Sequence, residues 1–476
     1  MPNALRVVSG TLFFPRGGSA FVTRALARGL ADQGCDVTLL AGSRHDLGGL
    51  GDARRFYAGI DLREVDFTAA LGTPDPVDFS GPPGSGPLHP SFESRPGAGD
   101  RVFASLDNAA YERQVAAWAR ELRAADAAAA DVLHLHHLTP LNAAAALVAP
   151  RVPIVGHMHG TELLMLEAIE RDATVWEHGP VWAERMRGWA ARCSRLVVAP
   201  GNRDRAVALL GIAADRFVVL PNGFDPLTFR PLDVDRGAIW RRVLVDEPRG
   251  WRPGEDAGSV RYGDRVLDAL GHGSVIVYVG RFTEVKRLGL LLEAFAHARE
   301  RMRSHASLIL VGGHPGEWEG EHPAAAIDRL GLSDVMLAGW YDQDELPELL
   351  AAADLLVLPS ERESFGQVIV EAMACGVPAI AASSHGPAEI IEDGETGWLF
   401  RVNDRDALTG ALVDAVDGPA ERERRARLAE RAALDRFAWP AIAAALEQTL
   451  RDGARRARAP RTIRRTTTRL GRAAAD

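Results

Sequence analysis

The chain has 476 residues, 47% of them hydrophobic and 25% charged, more than a single hydrophobic core usually holds, so two domains are expected. No apolar run approaches the roughly 20 residues that cross a bilayer. Three widely spaced cysteines, Cys35, Cys193 and Cys375, exclude a disulfide framework and a zinc-finger pattern. The net charge of -9 is uneven, because nine arginines against two aspartates from Arg451 to Asp476 leave +7 on the tail and -16 on the body. Nucleic acid is therefore not an expected partner of the body. The tail suits a solvated end, or weak contact with an anionic membrane surface or an acidic partner. LRVVSGTLFF follows the first residues with no signal-peptide pattern, so the expected compartment is the cytoplasm.

Strand-like apolar runs alternate with alanine-rich helical stretches, the pattern of a parallel α/β sheet. LRVVSG leads through Phe13-Phe14-Pro15-Arg16-Gly17-Gly18-Ser19 into a helix over 19–33, and DVTLLAG follows. The Gly-Gly turn allows close backbone approach at a helix N-terminus, but it is neither a GxGxxG fingerprint nor a Walker loop. Residues 72–100, dense in proline and glycine, read as a long loop. A helix over 108–125 and the strands DVLHLHH, VPIVGHMHG and RLVVAP continue the rhythm. They bring five histidines together: His134, His136, His137, His157 and His159. Alternation places His134 and His136 on one strand face and His137 on the other. With no nearby cysteine and no HEXXH spacing, buried or acceptor-lining histidines are favoured over a metal site, and no metal is expected.

PNGFD, residues 221–225, closes the first unit, and a proline- and charge-rich stretch runs to about Gly273. A second series then begins: SVIVYVG, SLILVGG, DVMLAGW, DLLVLPS and VPAIAAS, each followed by a helical segment. The expected organisation is a unit over 1–225, a second over 226–438, a helix over 439–452 crossing back to the first, and a basic, disordered tail over 453–476. All but one of the 55 lysine-plus-arginine positions hold arginine, and the exception is Lys286 in YVGRFTEVKR. A compact ammonium that resists replacement suits a phosphate-facing role, with chance survival as the alternative. Three D-x-D strings occur: Asp233/Asp235, Asp342/Asp344 and Asp404/Asp406. Helix capping accounts for the last two better than a cation does. Tyr341, at a strand end, either packs or stacks on a nucleotide base.

ERESFGQVIVEAMACGVP, residues 361–378, places Glu363 at a strand-to-helix junction, Gly366 at the turn, and Glu371 one turn beyond Gln367. This E-x-F-G-x-x-x-x-E arrangement resembles the signature of the retaining GT-B glycosyltransferases of family 4 (group 1). PNGFD, GRFTEVKR, LVGGHP and EAMACGVPAI agree in kind and order. The resemblance spans roughly residues 5–450 and is most specific from 217 to 400. It implies two Rossmann-like domains facing a cleft, acceptor side first, and sugar transfer from a nucleotide-diphosphate donor to a small-molecule or glycan acceptor without a metal or other cofactor. Carried over residue by residue, it implies that Arg281 and Lys286 hold the donor diphosphate, with the Gly18 amide approaching from the other domain. Glu371 would bind the ribose. Glu363, the Phe365 and Gly366 amides and His159 would surround the transferred sugar. Arg287 stands where the family often has glycine, which leaves the local turn open. The absence of K-x-G-G-L near the N-terminus argues against a glycogen-type glucan synthase. An epimerase or hydrolase on the same scaffold, a glycogen-type glucan synthase, and a non-catalytic sugar-nucleotide binder remain the alternatives.

Overall fold

The computed structural model describes residues 4–92, 100–363 and 365–458. Strands β1 (Arg6–Thr11), β2 (Asp36–Ser43) and β3 (Asp61–Asp66) open the chain. Two-residue strands β4 (Pro90–Ser91) and β5 (Arg101–Val102) pair with each other. Then come β6 (Val132–His136), β7 (Ile154–Met158), β8 (Arg195–Val198) and β9 (Phe217–Val219). The first sheet has the order β3-β2-β1-β6-β7-β8-β9 and is parallel throughout. The second sheet contains β10 (Ser274–Gly280), β11 (Ala306–Gly312), β12 (Val335–Gly339), β13 (Leu355–Leu358), β14 (Ala379–Ala382) and β15 (Gly397–Phe400). Its order is β12-β11-β10-β13-β14-β15, again parallel.

Helices cover both faces, so strands such as β11 and β13 are buried along their whole length and carry unbroken Val/Ile/Leu runs. In both sheets the strand order reverses beside the first strand of the series, between β1 and β6 and between β10 and β13. In open parallel sheets ligands bind at such switch points, outside the carboxyl ends of the strands. The segments with the strongest sequence signals leave these four strand ends.

Two segments cross between the halves and are hydrogen-bonded to each other. Phe224 N–H donates to Phe437 O at 3.0 Å, and Trp439 N–H donates to Phe224 O at 3.0 Å. The last helix, Trp439–Arg458, buries Ile442, Leu446, Leu450 and Ala454 against Leu5, Val7, Val22, Leu26 and Leu30 of the first half. It continues six residues beyond 452, because the apolar spacing of four persists through Ala454. Residues 453–458 are therefore helical rather than tail, and 459–476 lie outside the described residues. The stretch after Pro226 is not irregular throughout: it holds a helix over Arg236–Arg241, which runs into a π-helical turn over Arg242–Asp246, and a second over Asp264–Gly271. Trp240, Val243 and Leu244 anchor it in the second core. Among the described residues no helix is long and apolar enough to cross a membrane.

Candidate active site

At the end of β10 the chain runs through Arg281 into a short 3-10 turn, Glu284–Lys286, and then the helix Leu288–Arg299. Tyr278 Oη donates to Arg281 O at 2.7 Å and Glu361 N–H donates to Val285 O at 2.9 Å, pinning this loop to the one after β13. Arg287 takes φ 55°, ψ 40°, left-handed backbone that favours glycine, which answers the question left by its unusual identity. Its Nε donates to Asn403 Oδ1 at 2.7 Å, so the side chain is held away from the lysine. Arg281 is exposed and makes no ion pair among the described residues.

Lys286 and Glu363, 77 residues apart, meet. Nζ stands 2.5 Å from Glu363 Oε2, and both side chains are mostly shielded from solvent. Glu363 is fixed at its carbonyl, which accepts from Gly386 N–H at 3.0 Å. Phe365 is buried edge-on to Phe437. Gly366 has φ 98°, ψ 53°, and its Cβ would stand 3.0 Å from Ile369 Cδ1, so this turn into the helix Gln367–Ala374 requires glycine. That helix starts without a side-chain cap, which leaves its first amides available.

Glu371, on the same helix, is fully buried. Its Oε1 accepts from Gln343 Nε2 at 2.7 Å and from Gln367 Nε2 at 3.1 Å. Burial pushes its carboxyl up to about 7, against the pull of the two amides. Gln367 Nε2 also donates to Gly223 O at 2.7 Å, tying the carboxylate's surroundings to the segment between the domains. Gln343 was not singled out in the sequence, where no local pattern marks it. Tyr341 is buried, and the Arg249 guanidinium lies 4.2 Å over its ring centroid, so one ring face is already covered. Asp342 and Asp344 do not cap the following helix, contrary to expectation. That helix starts without a side-chain cap, and Glu345 turns back to accept from Asp342 N–H at 2.9 Å and is held by Arg249. Asp404 does cap its helix, and so does Asp235, each accepting a third-residue amide at 3.0 Å.

In the first domain the helix Gly17–Asp32 begins uncapped, and Gly18 is exposed with open space around it. Asp100, held by Arg16 at 2.5 Å, lies 3.3 Å from His89, whose burial lowers it to about 4. The five histidines gather at the ends of β6 and β7. His137 leaves the strand in left-handed backbone, φ 64°, so the face expected from alternation does not apply to it. Its Nδ1 is 3.2 Å from Glu162 Oε1, a fully buried carboxylate missed in the sequence although it stands in HMHGTE. Burial alone would raise Glu162, but His137 and backbone amides outweigh it and lower it. His136 Nδ1 lies 2.9 Å from His159 Nε2, and His134 Nε2 lies 3.2 Å from His157 Nδ1. Burial lowers His134 to about 3 and holds His136, His157 and His159 well below the usual imidazole range, with neighbouring imidazoles adding to the effect. These four rings are neutral at pH 7.

The family model described as "Glycosyl transferases group 1" matches residues 266–435, and "Glycosyltransferase Family 4" matches residues 16–226. A D-inositol 3-phosphate glycosyltransferase of Xylanimonas cellulosilytica is 32% identical over 329 residues, covering 66% of this chain and 70% of that one. The chain belongs to the group 1 glycosyltransferases. D-inositol 3-phosphate glycosyltransferase 2 of Catenulispora acidiphila is 36% identical over 206 residues, 40% of this chain and 48% of its own. The first curated relatives are thus matched over only about half to two thirds of their length. A crystal structure of HepE from Anabaena, in complex with UDP and glucose, superposes with a TM-score of 0.63 at 19% identity. It covers 94% of this chain and 100% of that one, which establishes a GT-B fold for this group 1 member.

Proposed function

We propose that this group 1 glycosyltransferase moves a sugar from a nucleotide-diphosphate donor to an acceptor hydroxyl with retention of anomeric configuration. Side chains and a helix terminus, rather than a metal, neutralise the departing diphosphate. The observation that carries the reading is the Lys286–Glu363 contact at 2.5 Å, which joins both loops at the switch point of the second sheet. Departure of a nucleoside diphosphate builds negative charge on its distal phosphate, and a fixed cation aimed at that oxygen stabilises the transition state. An arriving phosphate competes for Lys286, and Glu363 is then free to accept from a sugar hydroxyl.

In this reading Arg281 supplies the second cation, and the Gly18 amide approaches the diphosphate from the first domain. The Phe365 and Gly366 amides meet the transferred sugar, and Glu371 exchanges its two amide donors for the ribose hydroxyls. His159, neutral and half-buried, faces the sugar from the acceptor side. Neither glutamate stands as a base opposite the leaving group, which favours a front-face reaction in which the departing phosphate takes the acceptor proton. The relatives' names and the UDP and glucose bound by HepE make UDP-sugars and inositol 3-phosphate the first donor and acceptor to assay. The test is product analysis by NMR with an α-linked donor. An α-linked product is expected. An inverted product refutes retention, free sugar indicates a hydrolase, an altered donor an epimerase, and binding without turnover a non-catalytic protein.

A further inference from the structure

We propose that His134, His136 and His157 form a binding site for a zinc-class divalent cation inside the first domain, behind His159. One nitrogen of each imidazole lies within 4.8 Å of the others, and all three side chains are buried. Two adjacent parallel strands, β6 and β7, carry them, with Ser9 of the neighbouring β1 beside His134 and Thr11 beside His136, and His136 beside His157. The His134 Nε2 to His157 Nδ1 separation is 3.2 Å. Two nitrogens bound to tetrahedral zinc at about 2.0–2.1 Å stand about 3.3–3.4 Å apart, so this pair already has the spacing of one edge of a coordination tetrahedron.

The third ligand is marked by what it lacks. His136 Nδ1 is engaged with His159, and its Nε2 is buried with no hydrogen-bond partner. A buried nitrogen left unpaired is unfavourable, and a cation would satisfy it. Contacts of the kind that orient ligating imidazoles are also present: Ser9 Oγ lies 3.4 Å from His134 Nδ1, and His159 Nε2 lies 2.9 Å from His136 Nδ1. An all-imidazole donor set favours zinc, cobalt, nickel or copper over magnesium and calcium, which prefer oxygen. Three protein ligands leave a fourth position for water. This cation is distinct from any at the donor diphosphate, whose proposed side-chain ligands, Arg281 and Lys286, lie on the loops of the second sheet, so the inference stands independently of the proposed reaction.

The test uses the full chain, stripped with a chelator and dialysed. Zn²⁺ is titrated by calorimetry and Co²⁺ by visible absorption, and the metal content of the protein as purified is measured. One Zn²⁺ per chain and a Co²⁺ spectrum of a low-coordinate nitrogen site are expected, with no heat from Mg²⁺. Ser9→Ala should weaken Zn²⁺ binding by about 10- to 100-fold, the range for loss of an orienting contact, and His136→Gln by more than about 100-fold. His45→Ala disrupts the separate, more exposed His45–Asp52–Glu64 cluster and should leave one strong site. Should His136→Gln fail to fold, Ser9→Ala and the wild-type Co²⁺ spectrum still decide. Absence of uptake by the wild type, uptake unaffected by both Ser9→Ala and His136→Gln, or uptake abolished by His45→Ala would each show that the histidines form a hydrogen-bonded cluster only.

Discussion

Replacing Glu371 by glutamine should stabilise the donor-free protein while weakening donor binding. The carboxyl rises from an ordinary 4.5 to about 7 because burial outweighs the Gln343 and Gln367 amides. At about 1.4 kcal/mol per unit, the charged form costs on the order of 3 kcal/mol above pH 7. With the folded value above the unfolded one, the native chain holds the extra proton between about pH 4.5 and 7. The stability this contributes is fully present below that window and is lost as pH rises through it. Glutamine keeps an oxygen to accept from Gln343 and removes the charge. Glu371→Gln should therefore melt several degrees higher than wild type at pH 8 and close to it at pH 5. Its donor KM should rise roughly 10- to 100-fold through loss of the proposed charge-assisted bonds to the donor ribose. Melting curves at both pH values and donor saturation kinetics provide the check. A variant less stable than wild type at pH 8, or a difference independent of pH, would refute the assignment of burial as the dominant effect.

Lys286→Ala should lower kcat on the order of 10²–10³ with a smaller change in donor KM, and Lys286→Arg should also be clearly impaired. Near-normal kcat in the arginine variant would mean that position 286 needs only a positive charge. Arg287→Gly should leave kcat within about threefold and raise stability by up to about 1 kcal/mol, since relief of left-handed backbone outweighs the Asn403 bond. A large loss of kcat there would give Arg287 a direct role. Transfer should proceed equally with and without added Mg²⁺ or Mn²⁺, and activity that appears only on adding one of them would reassign the diphosphate to a metal.

The parallel α/β architecture was legible because helices on both faces turn strands such as VIVYVG and LILVG into unbroken apolar runs. The helices after Pro226 were not, since prolines and charges there mask the buried Trp240 and Leu244 that anchor them. The motif segments stood out one by one, but their contacts did not. Nothing local connects Lys286 to Glu363, or Gln343 to Glu371, because those distances are set by neighbouring strand ends in a sheet. His137 escaped the alternation argument for a backbone reason: period two ends where φ becomes positive. Asp235 and Asp342 show the same limit, since both precede helices in similar strings and only the first turns its carboxylate onto an amide.

The neighbouring cations Lys286 and Arg287 show why adjacent positive charges are not interchangeable. Arg287 occupies left-handed backbone that would suit glycine, and its guanidinium is directed to Asn403 and to Glu361 at 3.5 Å. An arginine tolerates that place because its long side chain finds partners at the rim. Lys286, one residue earlier, points into a shielded position where a single carboxylate oxygen lies 2.5 Å from its ammonium. A planar fork with five donors would carry its charge over a wider volume there. Such a site suits a compact charge that can be handed from one oxygen to another. In the proposed reaction a carboxylate holds it before the donor arrives and a phosphate oxygen takes it as the sugar departs. Geometry of that kind accounts for a lysine at this position in a chain whose other 54 lysine-or-arginine positions hold arginine.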